Sequence, residues 1–368
     1  MLCCRPMLEI PVELGARRYV VSVGKDLGRR LPGLLGDLRG RKIALVASRR
    51  VFALHGRGIE RALGALGPVS VVRVADGERY KVRATLDRLY DAFLDAGLGR
   101  DGVVVALGGG VVGDVAGYAA ASYMRGVDWV GLPTTLLSMV DSSVGGKVGI
   151  NHPQAKNLIG AFHQPRAVVI DPGFLATLPA RELRSGAYEV LKCGILGDPA
   201  LFEVMCRAPA GLRGWAGADV ETAIAAACRL KAEVVTKDER EGWLRRVLNL
   251  GHTIGHALEA VTRYRRFTHG EAVGWGLVGV SFIARRRGVL DAASHDAILA
   301  AVDRIGPRPR VADLPARGIL AALGRDKKAR AGRVPFILPT AIGAVVVQED
   351  VDAVEVRHAL RDMARHVG

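Results

Sequence analysis

Residues Gly102-Val103-Val104-Val105-Ala106-Leu107 form a short apolar run that empties into Gly108-Gly109-Gly110-Val111-Val112-Gly113-Asp114. A stretch of small residues, Val115 to Ala121, follows. This order predicts a buried strand, a tight glycine turn and a buried helix. Asp114 and the glycine break argue against a membrane span over 103–124. Glycines at a strand-to-helix turn let backbone N–H groups approach a phosphate at a helix N-terminus. The spacing is not Gly-x-Gly-x-x-Gly, and a tight turn for close helix packing is the competing reading.

Similar runs flank this one. Lys42 to Ala47, Val69 to Val72, Val127 to Pro133 and Val168 to Asp171 read as strands, and residues 8–24 as a hairpin. Helical periodicity lies between them, over roughly 50–66 and 83–97. Strand and helix alternate, which predicts a parallel sheet with helical crossovers. After Thr177-Leu178-Pro179 the character changes, and residues 181–300 are helical in periodicity, including an amphipathic stretch over 219–237. Two strand-like segments, Arg333–Leu338 and Gly343–Gln348, precede a final helix from about 352. A chain of 368 residues holds about two domains. We place them at 1–179 (α/β) and 180–368 (mainly α-helical).

Five cysteines, without metal-ribbon spacing, argue for a reducing compartment rather than a disulfide scaffold. The first residues lack an apolar core of a secretory signal. A cytoplasmic location is the expectation, with no membrane partner. The net charge of +15 fits either an arginine-rich composition or an anionic substrate. The arginines are scattered and not interleaved with aromatics, which argues against a nucleic-acid partner.

The chemistry concentrates in Arg245-Arg246-Val247-Leu248-Asn249-Leu250-Gly251-His252-Thr253-Ile254-Gly255-His256. On one continuous helix, Arg245, Asn249, His252 and His256 would project within about 60° of one another. Two histidines and a carboxylate with an open fourth position make a common catalytic zinc site. Glu189, His252, His256 and His269 are the candidates, and spacing does not choose among them. The i, i+4 pair His252 and His256 favours both as ligands. The adjacent glycines in Gly251-His252 and His269-Gly270 favour close approach at those two positions instead.

Taken together, the segments resemble the 3-dehydroquinate synthase family. The matching pieces are Asp76-Gly77-Glu78-Arg79-Tyr80-Lys81, Gly108 to Asp114, Tyr123-Met124-Arg125-Gly126, Pro133-Thr134-Thr135-Leu136-Leu137 and Asp141 to Lys147. Further along they are Lys156 to Gly160, Ser185-Gly186 with Glu189 and Lys192, Asp238-Glu239-Arg240, Asn249 to His256, and His269 to Val273. They keep the family's order and spacing from about 40 to 340.

The resemblance implies an α/β Rossmann-like N-terminal domain that binds NAD, a mainly α-helical metal- and substrate-binding C-terminal domain, and a site in the cleft between them. It implies zinc, with cobalt as a substitute, on Glu189, His252 and His269. His256 then becomes a proton-transfer or phosphate-contacting group. The implied catalytic set is His256, Lys147, Lys192, Lys231, Arg245, Asn249, Asn157, Asp141, Arg125 and Lys327, with Lys328 as an alternative to Lys327. The implied cofactor set is Asp76, Glu78, Lys81, Gly109, Gly110, Val111, Gly113, Asp114, Thr134, Thr135, Lys147, Lys156, Phe174 and Thr177. The implied substrate is a phosphorylated keto acid, 3-deoxy-D-arabino-heptulosonate 7-phosphate. The implied reaction is transient oxidation by NAD, phosphate elimination, reduction and aldol closure. A homodimer is implied, Arg125 reaching the neighbouring subunit's site.

The chain departs from the family pattern at several positions. Ser48 stands where an Asp usually meets the adenosine ribose, which with Arg50 opens the question of NADP. Ala155 and Trp243 replace glycines, and Cys193 replaces an aromatic or His. Related sugar-phosphate cyclases and metal-dependent polyol dehydrogenases are the alternative readings. Lys231, Arg245, Asn249 and Lys327 favour the keto-acid substrate.

Overall fold

The computed structural model describes residues 7–324 and 334–366. The chain divides into two compact units, Met1–Leu178 with Lys231–Arg240, and Pro179–Leu230 with Glu241–Gly368.

The first unit is built on a seven-stranded sheet. Its strands are β1 (Leu8–Val12), β2 (Tyr19–Val23), β3 (Ile43–Ser48), β4 (Val69–Val74), β5 (Val103–Gly108), β6 (Asp128–Pro133) and β9 (Ala167–Ile170). The order across the sheet is β1-β2-β9-β6-β5-β3-β4, and only the β1–β2 pairing is antiparallel. Every residue of β3 and β5 is buried, because both faces of the sheet are covered. Alternate side chains serve opposite cores. Val103, Val105 and Leu107 join Leu27, Leu31 and Leu63 on one face. Val104 and Ala106 join Leu86, Leu89 and Phe93 on the other. This is the origin of the continuous apolar runs in the sequence.

Strand order reverses between β3 and β5. From β3 the chain moves outward to β4, and from β5 it moves the opposite way to β6. Open parallel sheets bind ligands at the carboxyl ends of strands flanking such a reversal.

A second sheet was not foreseen in the sequence. β7 (Lys147–His152) and β8 (Ala155–Phe162) pair antiparallel, and Val148 and Ile150 pack into the core beneath the helix Gly110–Ser122. Strand β8 is exposed over much of its length, so its pattern carries no alternation to read.

The second unit is helical, apart from the hairpin β10 (Phe336–Ala341) and β11 (Ala344–Gln348). The helix His269–Arg286 is at its centre. It packs against His252–Val261, Ala180–Gly197 and Ala353–Arg365. Its start is fixed by a capping box, Thr268 accepting from the Glu271 N–H while Glu271 accepts from Thr268. No described helix is long and apolar enough to cross a membrane.

The expected single helix from Arg245 to His256 does not form. Leu244–Asn249 is a 3-10 segment, and the α-helix begins only at His252. Gly251 stands between them at φ 77°, a left-handed conformation that stops a right-handed helix. A Cβ on Gly276 would lie 1.8 Å from the Gly251 carbonyl oxygen, so the central helix crowds this break closely.

Leu107→Ala tests the two-sided burial of β5. The side chain is fully enclosed, so truncation should cost about 2–5 kcal/mol. Urea unfolding should show a lowered midpoint with an unchanged slope.

Candidate metal centre and nucleotide cradle

Glu189 lies within Ala180–Gly197, His252 and His256 open His252–Val261, and His269 opens the central helix. The helices bearing Glu189 and His269 touch at a glycine. A Cβ on Gly270 would sit 1.8 Å from the Ser185 carbonyl oxygen, and the Gly270 N–H donates to Ser185 Oγ at 3.1 Å. Ser185 is one turn before Glu189, and Gly270 is next to His269. This contact therefore sets the carboxylate beside the imidazole.

Glu189 is 1% exposed. Its Oε2 pairs with the Lys192 ammonium at 2.5 Å, one turn away on the same helix. Its Oε1 is buried without a hydrogen-bond donor. Oε1 lies 3.6 Å from His252 Nε2 and 3.6 Å from His269 Nε2. These separations are too long for hydrogen bonds. They match donors arranged around one cation, since ligands about 2.1 Å from a tetrahedral zinc stand roughly 3.4 Å apart.

The far side of each ring is also held. His252 Nδ1 lies 3.2 Å from the Leu250 carbonyl, and His269 Nδ1 lies 3.1 Å from Glu259 Oε2. A carbonyl and a carboxylate accept, so each Nδ1 is the donor. In the neutral ring the Nε2 lone pair then faces Glu189. His256 joins the cluster, the ligand atoms of the three histidines lying within 4.8 Å of one another. Its ring centroid is 5.3 Å from that of His252 and 5.8 Å from that of His269. The donor set suits zinc or cobalt.

Arg245 is buried in the 3-10 segment, and Asn249 donates to the Arg246 carbonyl at 3.0 Å and toward Glu241 at 3.4 Å. Lys327 and Lys328 lie outside the described residues.

The N-terminal unit holds a second arrangement. Gly108 ends β5, and Gly110 begins the helix Gly110–Ser122. A Cβ on Gly109 would meet Thr135 at 3.0 Å, and one on Gly110 would meet Ser142 at 3.0 Å. Bare backbone therefore lines a hollow between the ends of β5 and β6, with Ser142 and Ser143 at its wall. That is the character of a phosphate cradle. Thr134 is buried, and Thr135 shares a hydrogen bond with Ser138. Val111 and Gly113 lie in the first turn of the helix.

Several of the expected cofactor and substrate residues pair here. Lys81 donates to both Asp114 and Asn157. Burial pushes the Asp114 carboxyl above the usual carboxylate range, with Lys81 opposing the shift. Asn151 donates to Glu78 at 2.7 Å and accepts from the Asn157 N–H. Lys231 donates to the carboxylate and carbonyl of Asp141. Asp76 accepts from the Arg50 N–H. His55 shares a hydrogen bond with Thr177 and lies against Phe174. Lys147 and Lys156 sit on β7 and β8. Arg125 is exposed at φ 67°. Ser48 caps the following turn by accepting from the Val51 N–H.

Sequence reasoning missed Glu259, Asn151 and His55. Glu259 had a usable signal, because it follows His252 by two helical turns and shares its face. His55 had none, since Thr177 and Phe174 are distant in sequence, and Asn151 had none, since Glu78 is distant and the Asn157 contact depends on the unforeseen hairpin.

The chain matches two family models, described as 3-dehydroquinate synthase N-terminal over residues 71–185 and 3-dehydroquinate synthase C-terminal over 186–329. It is 46% identical over 346 residues to the 3-dehydroquinate synthase of Pelotomaculum thermopropionicum, covering 93% of each chain. It is 43% identical to that of Nostoc sp. (strain PCC 7120), covering 96% of this chain and 99% of the other. The solved structure of 2-epi-5-epi-valiolone synthase from Streptomyces hygroscopicus subsp. jinggangensis 5008, with NAD+ and Zn2+ bound, superposes with a TM-score of 0.87. That pair shares 31% identity over 96% of this chain and 98% of the other. A 2-deoxy-scyllo-inosose synthase structure, at 24% identity over 97% and 99% of the two chains and TM-score 0.86, shares the fold.

Gly270→Ala tests how the centre is assembled. The added methyl has no room beside Ser185, so stability should fall by about 1–3 kcal/mol or more. Thermal unfolding and zinc titration would both register it. An undiminished midpoint would show that the helix contact is not the constraint.

Proposed function

The chain belongs to the 3-dehydroquinate synthase family, and from that membership we propose that it converts 3-deoxy-D-arabino-heptulosonate 7-phosphate into 3-dehydroquinate and inorganic phosphate. The reaction class is a phosphate-eliminating carbon–oxygen lyase that cyclises its product. The observation that carries the metal-dependent reading is the buried Glu189 Oε1, without a hydrogen bond, 3.6 Å from two imidazole nitrogens.

Glu189, His252 and His269 hold zinc, or cobalt in its place. The cradle at Gly109, Gly110, Val111, Gly113 and Asp114, with Asp76, Glu78, Lys81, Thr134, Thr135, Lys147, Lys156, Phe174 and Thr177, holds NAD. When bound, zinc polarises the substrate hydroxyl and NAD takes up and returns a hydride, so no net redox change results. We assign NAD binding to residues 1–179 and metal and substrate binding to 180–368. Asp76, at the end of β4 beside β3, supplies an acid near the tip where Ser48 lacks one.

The chain's own groups meet the other demands. An anionic substrate needs fixed cations. Lys192 and Lys231 are buried and pinned by Glu189 and Asp141, so little reorganisation is needed to use them. Arg245, Lys147 and Lys327 are further cations, and Asn157 and Asn249 offer amides to hydroxyls. His256 carries a proton at its imidazole beside the metal set. The enzyme acts as a homodimer, with Arg125 reaching the partner's site.

Purified protein with NAD, zinc and the heptulosonate phosphate should release inorganic phosphate without lasting NADH absorbance. Removing the metal should abolish the release and zinc should restore it; release that persists without metal sinks the reading. Preferred turnover of a neutral heptulose phosphate would assign the chain to another cyclase. His252→Ala should lose zinc. His256→Ala should keep zinc and slow the reaction by about 10²–10⁴-fold. Zinc loss from that variant would make His256 a ligand.

A further inference from the structure

Glu259 stands behind the proposed ligand set. It lies on the helix His252–Val261 that also supplies His252 and His256, and it is 5% exposed. Its Oε2 is 3.1 Å from His269 Nδ1. We infer that Glu259 is a positioning residue that fixes His269 as a metal ligand, an inference that rests on Glu189, His252 and His269 being the ligands.

The two nitrogens of the His269 ring take different roles. The carboxylate accepts, so His269 Nδ1 carries the hydrogen and Nε2 keeps its lone pair in the neutral ring. That Nε2 is the atom 3.6 Å from Glu189 Oε1. The ring is thus held on one side by Glu259 and presented on the other to the proposed metal. His252 has the same arrangement with a weaker acceptor, the neutral Leu250 carbonyl. A negative acceptor raises imidazole basicity more than a carbonyl does, so His269 becomes the stronger donor of the two.

The two ligands also differ in how they are anchored. His252 is buried, whereas the His269 side chain is 29% exposed. An imidazole with that much freedom has other rotamers open to it, and a buried hydrogen-bonded carboxylate removes them. Glu259 also ties two helices together at this point. One brings His252 and the other His269, so orienting one ring fixes its distance from the other.

Zinc affinity of the metal-free protein, measured by competition with a chromogenic chelator, tests this directly. Glu259→Ala should weaken zinc binding by about 10–100-fold. The unfolding midpoint of the metal-free variant should stay close to that of the parent. Glu259→Gln, which keeps one acceptor oxygen but loses the charge, should retain more affinity than the alanine variant while falling below the parent. Parental affinity in the alanine variant overturns the inference. So does equal loss in both variants with a matching fall in the metal-free midpoint, which marks a structural role. Should the alanine variant fail to fold, the glutamine variant decides: a several-fold loss supports positioning, and unchanged affinity overturns it. Failure of the parent protein itself to bind zinc overturns the ligand set instead.

Discussion

A carboxylate buried to 1% exposure is the constraint on which the helical unit depends. An ionised group there is strongly disfavoured unless opposite charge compensates it. Lys192 compensates one oxygen. The other faces two imidazole nitrogens whose lone pairs, in neutral rings, point the same way. Three electron-rich atoms aimed at one point repel one another, and a cation converts that repulsion into attraction. The surrounding packing holds them there regardless. Gly270 against Ser185, and Gly276 against Gly251, bring backbones closer than any side chain would allow. The geometry of the proposed ligand set is therefore a property of the helix packing, and metal affinity would draw on the same contacts that stabilise the fold.

The N-terminal unit solves a different problem. Its sheet is covered on both faces, so no side chain of β3 or β5 is available for ligand contact along the strand. Chemistry is confined to strand ends. Glycine at the end of β5 exposes backbone there, the hydroxyls of Ser138, Ser142 and Ser143 line the hollow, and Asp114 of the following helix pairs with Lys81. In that pair burial outweighs the nearby ammonium, leaving the carboxyl raised rather than lowered. A polar group at the edge of such a core is thus tuned by the core itself.

These two designs explain what the sequence could disclose. The parallel sheet was legible because two-sided burial makes strands uniformly apolar. The β7–β8 hairpin was not, because β8 is exposed and without alternation. The helix starting at His269 carries a start signal that went unread, the capping box of Thr268 and Glu271. The helix expected from Arg245 was not real, because periodicity takes no account of Gly251 at φ 77°. That break matters for the reading of the stripe. Arg245 and Asn249 leave on a 3-10 path, and only His252, His256 and Glu259 share a true helix face. The glycines beside His252 and His269 carried the better signal, since each marks a backbone contact that no periodicity reveals.

Fold alone does not select a substrate. The 2-deoxy-scyllo-inosose synthase, at 24% identity, shares this architecture. What distinguishes substrates is the balance of charge around the site. Lys192 is buried, and Glu189 is one of the groups it meets. On the proposed ligand set, a dication would draw on the same Glu189 carboxylate that meets the Lys192 ammonium. Lys192 would then favour an anion more strongly than it does beside a bare carboxylate. Metal loading and anion affinity would be coupled through that carboxylate, Oε2 meeting Lys192 and Oε1 facing the two imidazoles.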